Sequence, residues 1–226
     1  MIQFEAFFTI SYGLYIVSSG NKNKGNGFIS NTFFQVTSSP PRFASCCNKD
    51  NYTASLIQDT GAFSVSVMHQ DTDPDIISRF GYKSGKDMDK MAGMNLKFGQ
   101  TGVPIVLNGC IAFMECKVVQ TLDMGTHYMF IGELLQAETT GDTREAMTYQ
   151  YYRQFRKGAA PKNAPTYIDK SNFESKPPAG NSKKYECTAC GYIYNDAVED
   201  ILFVDLPGDW VCPVCGSEKP DFIEIL

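Results

Sequence analysis

Four cysteines near the end of the chain carry the plainest chemistry, as Cys187-x-x-Cys190 and Cys212-x-x-Cys215. A Cys-x-x-Cys turn aims two sulfurs at one point and leaves the following backbone N–H groups free to bond them. Two such turns build a tetrahedral all-sulfur cage, which suits zinc or iron. The spacing by itself serves either metal. Gly191 and Gly216 each follow the second cysteine of a pair, where glycine's freedom at positive φ lets the backbone close on the sulfur. Contacts of that kind favour the more negative, reduced state of a redox metal. Around the turns stands an aromatic set, Tyr185, Tyr192, Tyr194, Phe203, Trp210 and Phe222, of which a structural zinc ribbon has less need.

With those aromatics, residues 183–226 resemble rubredoxin, the single-iron electron carrier, in which the matching rings form a small core beside the metal. The resemblance implies iron, cycling between ferric and ferrous, held by Cys187, Cys190, Cys212 and Cys215. It departs in one place. The stretch between Cys190 and Cys212 is shorter than rubredoxins usually carry, while Phe203, Leu206-Pro207 and Asp209-Trp210 are kept. A module this small buries too little apolar area to fold well alone, so metal binding is expected to supply much of its folding free energy.

Upstream, polar side chains collect where a bound anion or heterocycle would need them. Ser30, Asn31 and Thr32 lie on a predicted strand and offer donors and acceptors along an edge. Asn48, Lys49, Asn51 and Thr53 gather at a predicted helix start, a natural phosphate site. Ser84 and Lys86, with Lys90 behind them, follow Phe80 in a loop that can close over a phosphate or ribityl chain. Taken singly, each group reads as well as a polar strand face, a helix cap or a solvated loop.

Their order and spacing say more. Gly27-Phe-Ile-Ser-Asn-Thr-Phe-Phe-Gln-Val-Thr-Ser-Ser-Pro-Pro41, Asn48 to Thr53, Arg79 to Asp87 and Gly125-Thr126-His127 together resemble the flavin reductase-like FMN-binding split-barrel family, from about Phe7 to Ile168. The resemblance implies FMN contacts from Ser30, Asn31, Thr32, Asn48, Lys49, Asn51, Thr53, Phe80, Ser84 and Lys86, with Thr37-Ser38 also near the flavin. It places His127, the candidate catalytic residue, near flavin and nicotinamide. A barrel of this kind followed by a rubredoxin resembles the flavin–rubredoxin fusions called high-molecular-weight rubredoxins. That implies a homodimer in which NAD(P)H gives hydride to FMN near the subunit interface. Electrons then pass singly to the iron and on to an acceptor such as a flavodiiron O2 or NO reductase. Gly25-Asn26-Gly27 is no dinucleotide fingerprint, lacking the third glycine and a βαβ unit, so the nicotinamide would stack over the flavin directly. Two other functions stay open at this point: an FMN/iron carrier reduced by another reductase, without NAD(P)H oxidase activity of its own, and a zinc-binding interaction module on a barrel that stores FMN.

The elements that must position these residues are mostly short strands with Gly/Pro turns, which argue for a β-barrel; the resemblance makes it a Greek-key split barrel, mainly β, with a small four-cysteine domain appended. Strands are predicted at Tyr12–Val17, Phe28–Thr37, Pro41–Cys47, Ala62–Met68, Ile105–Leu107, Ile111–Val119 and His127–Ala137, with Asn21–Gly27 as a turn. A short amphipathic helix is expected over residues 1–10, another over Asn51–Thr60, and a third over Thr143–Lys157 ending at Gly158. Residues 169–182 are polar and rich in Pro and Gly, a linker between a domain at 1–168 and one at 183–226. Cys46, Cys47, Cys110 and Cys116 are expected to pack as small hydrophobes, and His69 to sit in a surface loop.

Composition excludes several classes. In the 226 residues no apolar run approaches the ~20 needed to cross a bilayer. The net charge of −5 is concentrated at the end, where 183–226 hold three lysines against nine acids. That surface suits solubility or steering toward basic faces of redox partners, and it is the opposite of a nucleic-acid footprint. Met1-Ile2-Gln3-Phe4-Glu5 has none of the marks of a signal peptide. With thiolate metal ligation, this points to a reducing cytoplasm.

Overall fold

The computed structural model describes residues 2–169, 183–199 and 201–225. The linker expected over 169–182 lies, from residue 170 on, outside the described residues. Seven antiparallel strands make the main sheet: β1 (Tyr15–Gly20), β2 (Gly25–Ser30), β3 (Phe33–Ser38), β4 (Pro41–Asn48), β5 (Ala62–Met68), β8 (Cys110–Asp123) and β9 (His127–Thr139), in the order β2-β1-β5-β8-β9-β4-β3. A small ribbon of β6 (Leu96–Phe98) and β7 (Pro104–Val106) stands beside it. β2 and β3 are the two edges of the sheet, yet Phe28 of β2 and Phe33 of β3 belong to one buried cluster with Val17, Phe63, Val65, Cys116 and Phe130. The sheet therefore rolls around a common core and stops short of closing, an open barrel split between β2 and β3.

Helix α1 (Tyr52–Thr60) lies against this core. Asn51 caps it by accepting from the Thr53 N–H at 2.9 Å, and Gly61 ends it at φ 64° with its N–H on the Ile57 carbonyl. Ala54, Leu56 and Ile57 face inward. The expected single strand Phe28–Thr37 is two strands, β2 and β3, broken at Asn31-Thr32, where Asn31 is buried on the side of the opening. The expected turn Asn21–Gly27 is shorter, since β2 already begins at Gly25.

Two helices differ from expectation. α2 (Pro74–Gly81) went unpredicted, although Asp73-Pro74 is a cap followed by proline in the first turn, with the Asp73 carboxylate accepting from the Asp75 N–H. The helix expected over Thr143–Lys157 shrinks to α3 (Tyr149–Gln154). Residues before it are drawn into strand-like pairing, the Met147 N–H donating to the Met68 carbonyl and the Leu14 N–H to Met147. Tertiary pairing outweighs helical propensity there. The same segment covers His69, which is 3% exposed instead of lying at the surface. At the N-terminus, Phe4–Thr9 forms a 3-10 helix.

The terminal module is a three-stranded sheet of β10 (Lys184–Cys187), β11 (Ile193–Asn195) and β12 (Phe222–Ile225), with β10 central. Its core is aromatic. Phe203 stacks on Tyr185 at 4.1 Å between centroids, and Trp210 meets Tyr194, Phe203 and Phe222 edge-on at 5.3–5.8 Å. The shortened loop is tied down by side chains: Tyr194 donates to the Ile201 carbonyl, Asp196 accepts from the Phe203 N–H, and the Lys219 ammonium reaches the Val204 and Leu206 carbonyls.

Candidate functional site

The four cysteines arrive together and buried. Their sulfurs all lie within 4.8 Å of one another. Cys187 and Cys215 are 3.7 Å apart and Cys190 and Cys212 3.6 Å, against an edge of about 3.8 Å for a tetrahedron of sulfurs at 2.3 Å from a central ion. The turns that hold them are alike: the Gly191 N–H donates to the Cys187 carbonyl and the Gly216 N–H to Cys212, with both glycines near φ +74°. Thiols this close cannot ionise independently. Hydrogen bonds from Cys190 and Cys212 hold Cys215 well below the usual thiol range, while the bond to Cys212 drives Cys190 far above it. A cation at the centre removes that conflict, so the donor set and the spacing fit a metal.

A cleft of about 330 Å3 opens at the split of the barrel. Of the residues predicted to bind the flavin, Ser30, Asn31, Asn48, Asn51, Phe80 and Ser84 line it. They come from the end of β2, the β4–α1 junction, and the end of α2 with the loop after it, so three separated sequence runs converge because the sheet rolls. Asn31 is the telling one. It is 6% exposed, its amide donates to the Thr166 hydroxyl at 2.7 Å, and its Oδ1 has no partner. A buried acceptor left unpaired is expensive. An isoalloxazine carries an N–H on its pyrimidine edge that fits it.

Other predicted residues lie beside the cleft or away from it. Thr32 backs the wall, its N–H donating to the Ser30 hydroxyl oxygen at 3.3 Å. Thr53 is on the buried face of α1, its hydroxyl accepting from the Asn26 amide. Lys86 stands in an adjoining pocket with Lys22, Lys24 and Asp89. Lys49 is turned from the cleft toward Asp123, with a 2.6 Å ion pair, and over the Tyr128 ring. Thr37 and Ser38 are not brought to the cleft within one chain. They sit exposed at the far end of β3, where the Thr37 hydroxyl bonds the Pro40 carbonyl. His127 starts β9 next to the opening. Its Nδ1 meets the Thr126 hydroxyl at 2.8 Å, and its Nε2 meets the carbonyl of Asn163, a residue of the cleft wall, at 3.2 Å.

Sequence reasoning missed Tyr82 and Tyr152 on the wall and read Lys90 only as a loop cation behind Ser84 and Lys86. Lys90 is 3% exposed, with its ammonium on the Gly27 and Phe80 carbonyls at 3.1 and 3.3 Å, and burial lowers its pKa to about 8. Tyr82 and Tyr152 line the cleft with their hydroxyls 2.9 Å apart. No motif marks them, because they meet only when α2 and α3 pack together. Cys47, Cys110 and Cys116 are buried as expected, burial pushing the Cys116 thiol up to about 12, whereas half-buried Cys46 faces the cleft.

Comparison with known proteins agrees with this geometry. The flavin reductase-like domain model matches residues 7–159 and the rubredoxin model residues 184–222. A high molecular weight rubredoxin of Moorella thermoacetica is 40% identical over 98% of this chain and 99% of its own length. An NAD(P)H ferric-chelate reductase of Archaeoglobus fulgidus is 44% identical over 76% of this chain and 98% of its own. Among solved structures, flavoredoxin from Methanosarcina acetivorans superposes with a TM-score of 0.54 at 26% identity, covering 58% of this chain and 70% of that one. Among the described residues no helix is long and apolar enough to cross a membrane.

Proposed function

The chain belongs to the flavin reductase-like family and ends in a rubredoxin domain, and from that premise we propose that it oxidises NADH or NADPH and feeds the electrons, one at a time, to an external acceptor. When bound, FMN accepts a hydride and parts with electrons singly, and iron in the sulfur cage takes them one by one. The observation that carries the reading is a single chain in which a cleft with an unpaired buried acceptor at Asn31 adjoins a buried four-sulfur cage.

The protein's part is position. Asn31 orients the flavin edge, and Asn48, Asn51 and the start of α1 offer donors to the phosphate. Phe80 at the end of α2 and Ser84 in the loop after it close one side. His127 positions the wall through the Asn163 carbonyl. Hydride transfer itself requires no general acid or base.

The assembly is a homodimer. In support, Phe34 and Val36 of the edge strand β3 are 51% and 45% exposed, beside Thr37 and Ser38, which a second subunit's cleft would reclaim. The acceptor is a redox protein with a basic docking face, such as a flavodiiron O2 or NO reductase in the cytoplasm, matched to the acidic module. Anaerobic stopped-flow mixing with NADH and with NADPH tests the reading. Rapid bleaching of the flavin and iron bands is expected with at least one; bleaching by neither refutes the reductase and leaves a carrier.

A further inference from the structure

The rubredoxin module rests on the barrel at the cleft. Ala189, between the first two cage cysteines, lines the cleft. Gly216, directly after the fourth, lies so close to α2 that an added Cβ would meet the Asp75 Oδ1 at 3.1 Å. The barrel's buried Tyr152, with Leu14, Ile77 and Phe80, is continuous with the module's core in one apolar cluster. Ala189 and Gly216 adjoin Cys190 and Cys215, the second cysteine of each turn, so that edge of the cage faces the barrel. The two phenols are locked in place: Tyr82 donates to the Ala159 carbonyl at 3.1 Å, leaving Tyr152 to donate to Tyr82 at 2.9 Å.

We propose that this contact is the docking site for electron delivery within the chain, with the hydrogen-bonded Tyr82–Tyr152 pair as the bridge between the cleft and the Cys190–Cys215 edge of the cage. The inference rests on the reading that flavin in the cleft reduces iron in the cage, and it names the face and the residues through which that happens. Three features agree. Both rings line the cleft and pack in the apolar cluster that holds the cage cysteines. The 2.9 Å contact between the hydroxyls, anchored on the Ala159 carbonyl, holds the two rings together as one path. The seat joins apolar packing to a polar neighbour, Asp75 beside Gly216, as suits a contact that must also release. Each crossing moves one electron: reduced flavin in the cleft loses it, ferric iron becomes ferrous, and neither tyrosine gains or loses an electron or a proton in net.

The test uses the full chain loaded with FMN. With redox-silent zinc in the cage, backbone amide exchange of 74–82 and 188–191 should show mutual protection. Ala189→Arg should lose it in both segments while metal stoichiometry stays at one. With iron in the cage, the flavin is reduced by light and an amine donor, without nicotinamide, and the iron band is followed. Ala189→Arg should slow bleaching by about 100-fold, the scale of a small misplacement. Tyr82→Phe should keep the exchange protection and still slow bleaching several-fold. Unchanged exchange in Ala189→Arg, undiminished bleaching in both variants, or no light-driven bleaching in the parent would each overturn the proposal. Failure of NADH and NADPH to reduce the flavin, with light-driven bleaching intact, would sink the reductase reading alone.

Discussion

Asn31→Ala separates ligand preparation from structural support, because the two act with opposite sign. In the flavin-free chain the side chain makes one good bond, its amide to the Thr166 hydroxyl at 2.7 Å, and strands Oδ1 in a site only 6% exposed. Losing a neutral hydrogen bond costs about 1 kcal/mol, and a stranded buried acceptor costs about 1–3 kcal/mol. Truncation removes both, so the flavin-free protein should be unchanged or stabilised by up to about 2 kcal/mol. Binding behaves otherwise. Pairing Oδ1 with a flavin N–H returns about 1–3 kcal/mol, and its loss weakens FMN by roughly 5- to 140-fold at 1.4 kcal/mol per factor of ten. Flavin fluorescence titration reads the affinity, and urea unfolding without FMN reads the stability. Thr166→Val is the control: it breaks the same amide bond, keeps Oδ1, and should cost less affinity. An unchanged FMN affinity in Asn31→Ala, or a flavin-free stability that falls as far as the affinity does, refutes the reasoning.

Further outcomes follow from other groups. Lys90 titrates at about 8 in the folded chain against an ordinary 10.5; below 8 both states hold the proton and the burial penalty is complete. Between 8 and 10.5 the folded state binds fewer protons, so stability should climb with pH, by up to about 3 kcal/mol, and Lys90→Met should flatten that slope in urea melts. Glu115 is fully buried and accepts from the N–H groups of Gln100 and Thr101 and from the Thr101 hydroxyl; Glu115→Ala strands those donors and should lower unfolding free energy by about 2–4 kcal/mol, with Glu115→Gln costing less. Chelating the metal should abolish amide protection across 184–225 while leaving it in β1, β5, β8 and β9, since the module's fold depends on its ion. His127→Ala frees the Asn163 carbonyl and should raise KM for the nicotinamide more than it lowers kcat; a fall in kcat alone would show that the ring itself takes part in transfer.

How far the sequence could be read depends on where each signal is stored. The cage was legible because its geometry is local: two three-bond turns, two glycines near φ +74° and a nearby aromatic cluster are fixed by neighbours in the chain. α1 was legible for the same reason, with Asn51 and Gly61 bracketing it. α3 was overestimated because the strand pairing that claims Met147 comes from Leu14 and Met68, more than seventy residues earlier, and no periodicity within 143–157 records that competition. The cleft divides in the same way. Ser30, Asn31, Asn48 and Asn51 stand in short polar runs that a flavin site needs, so residue type betrays them. Lys90 reads only as a loop cation until the fold buries it on the Gly27 and Phe80 carbonyls, and Tyr82 and Tyr152 are invisible as chemistry until their phenols meet at 2.9 Å.

That division bears on function. Residues legible in the sequence hold the two redox groups, whereas those legible only in the fold lie between them or beneath them. Tyr82 and Tyr152 line the cleft and pack in the cluster that holds the cage cysteines, and a chain carrying both groups without that contact would leave transfer to chance encounters of a tethered module. A tether alone supplies millimolar effective concentration; a seat supplies orientation as well. The requirement can be read from salt. The seat is packed around apolar side chains, with Asp75 beside Gly216. Transfer within the chain should therefore vary little with ionic strength, while transfer from the acidic module to a basic acceptor should fall steeply. Stopped-flow bleaching of the iron and its reoxidation by the acceptor, measured across one salt series, separate the two steps; parallel decline of both would mean that the inner step, too, depends on electrostatic encounter and not on the packed contact.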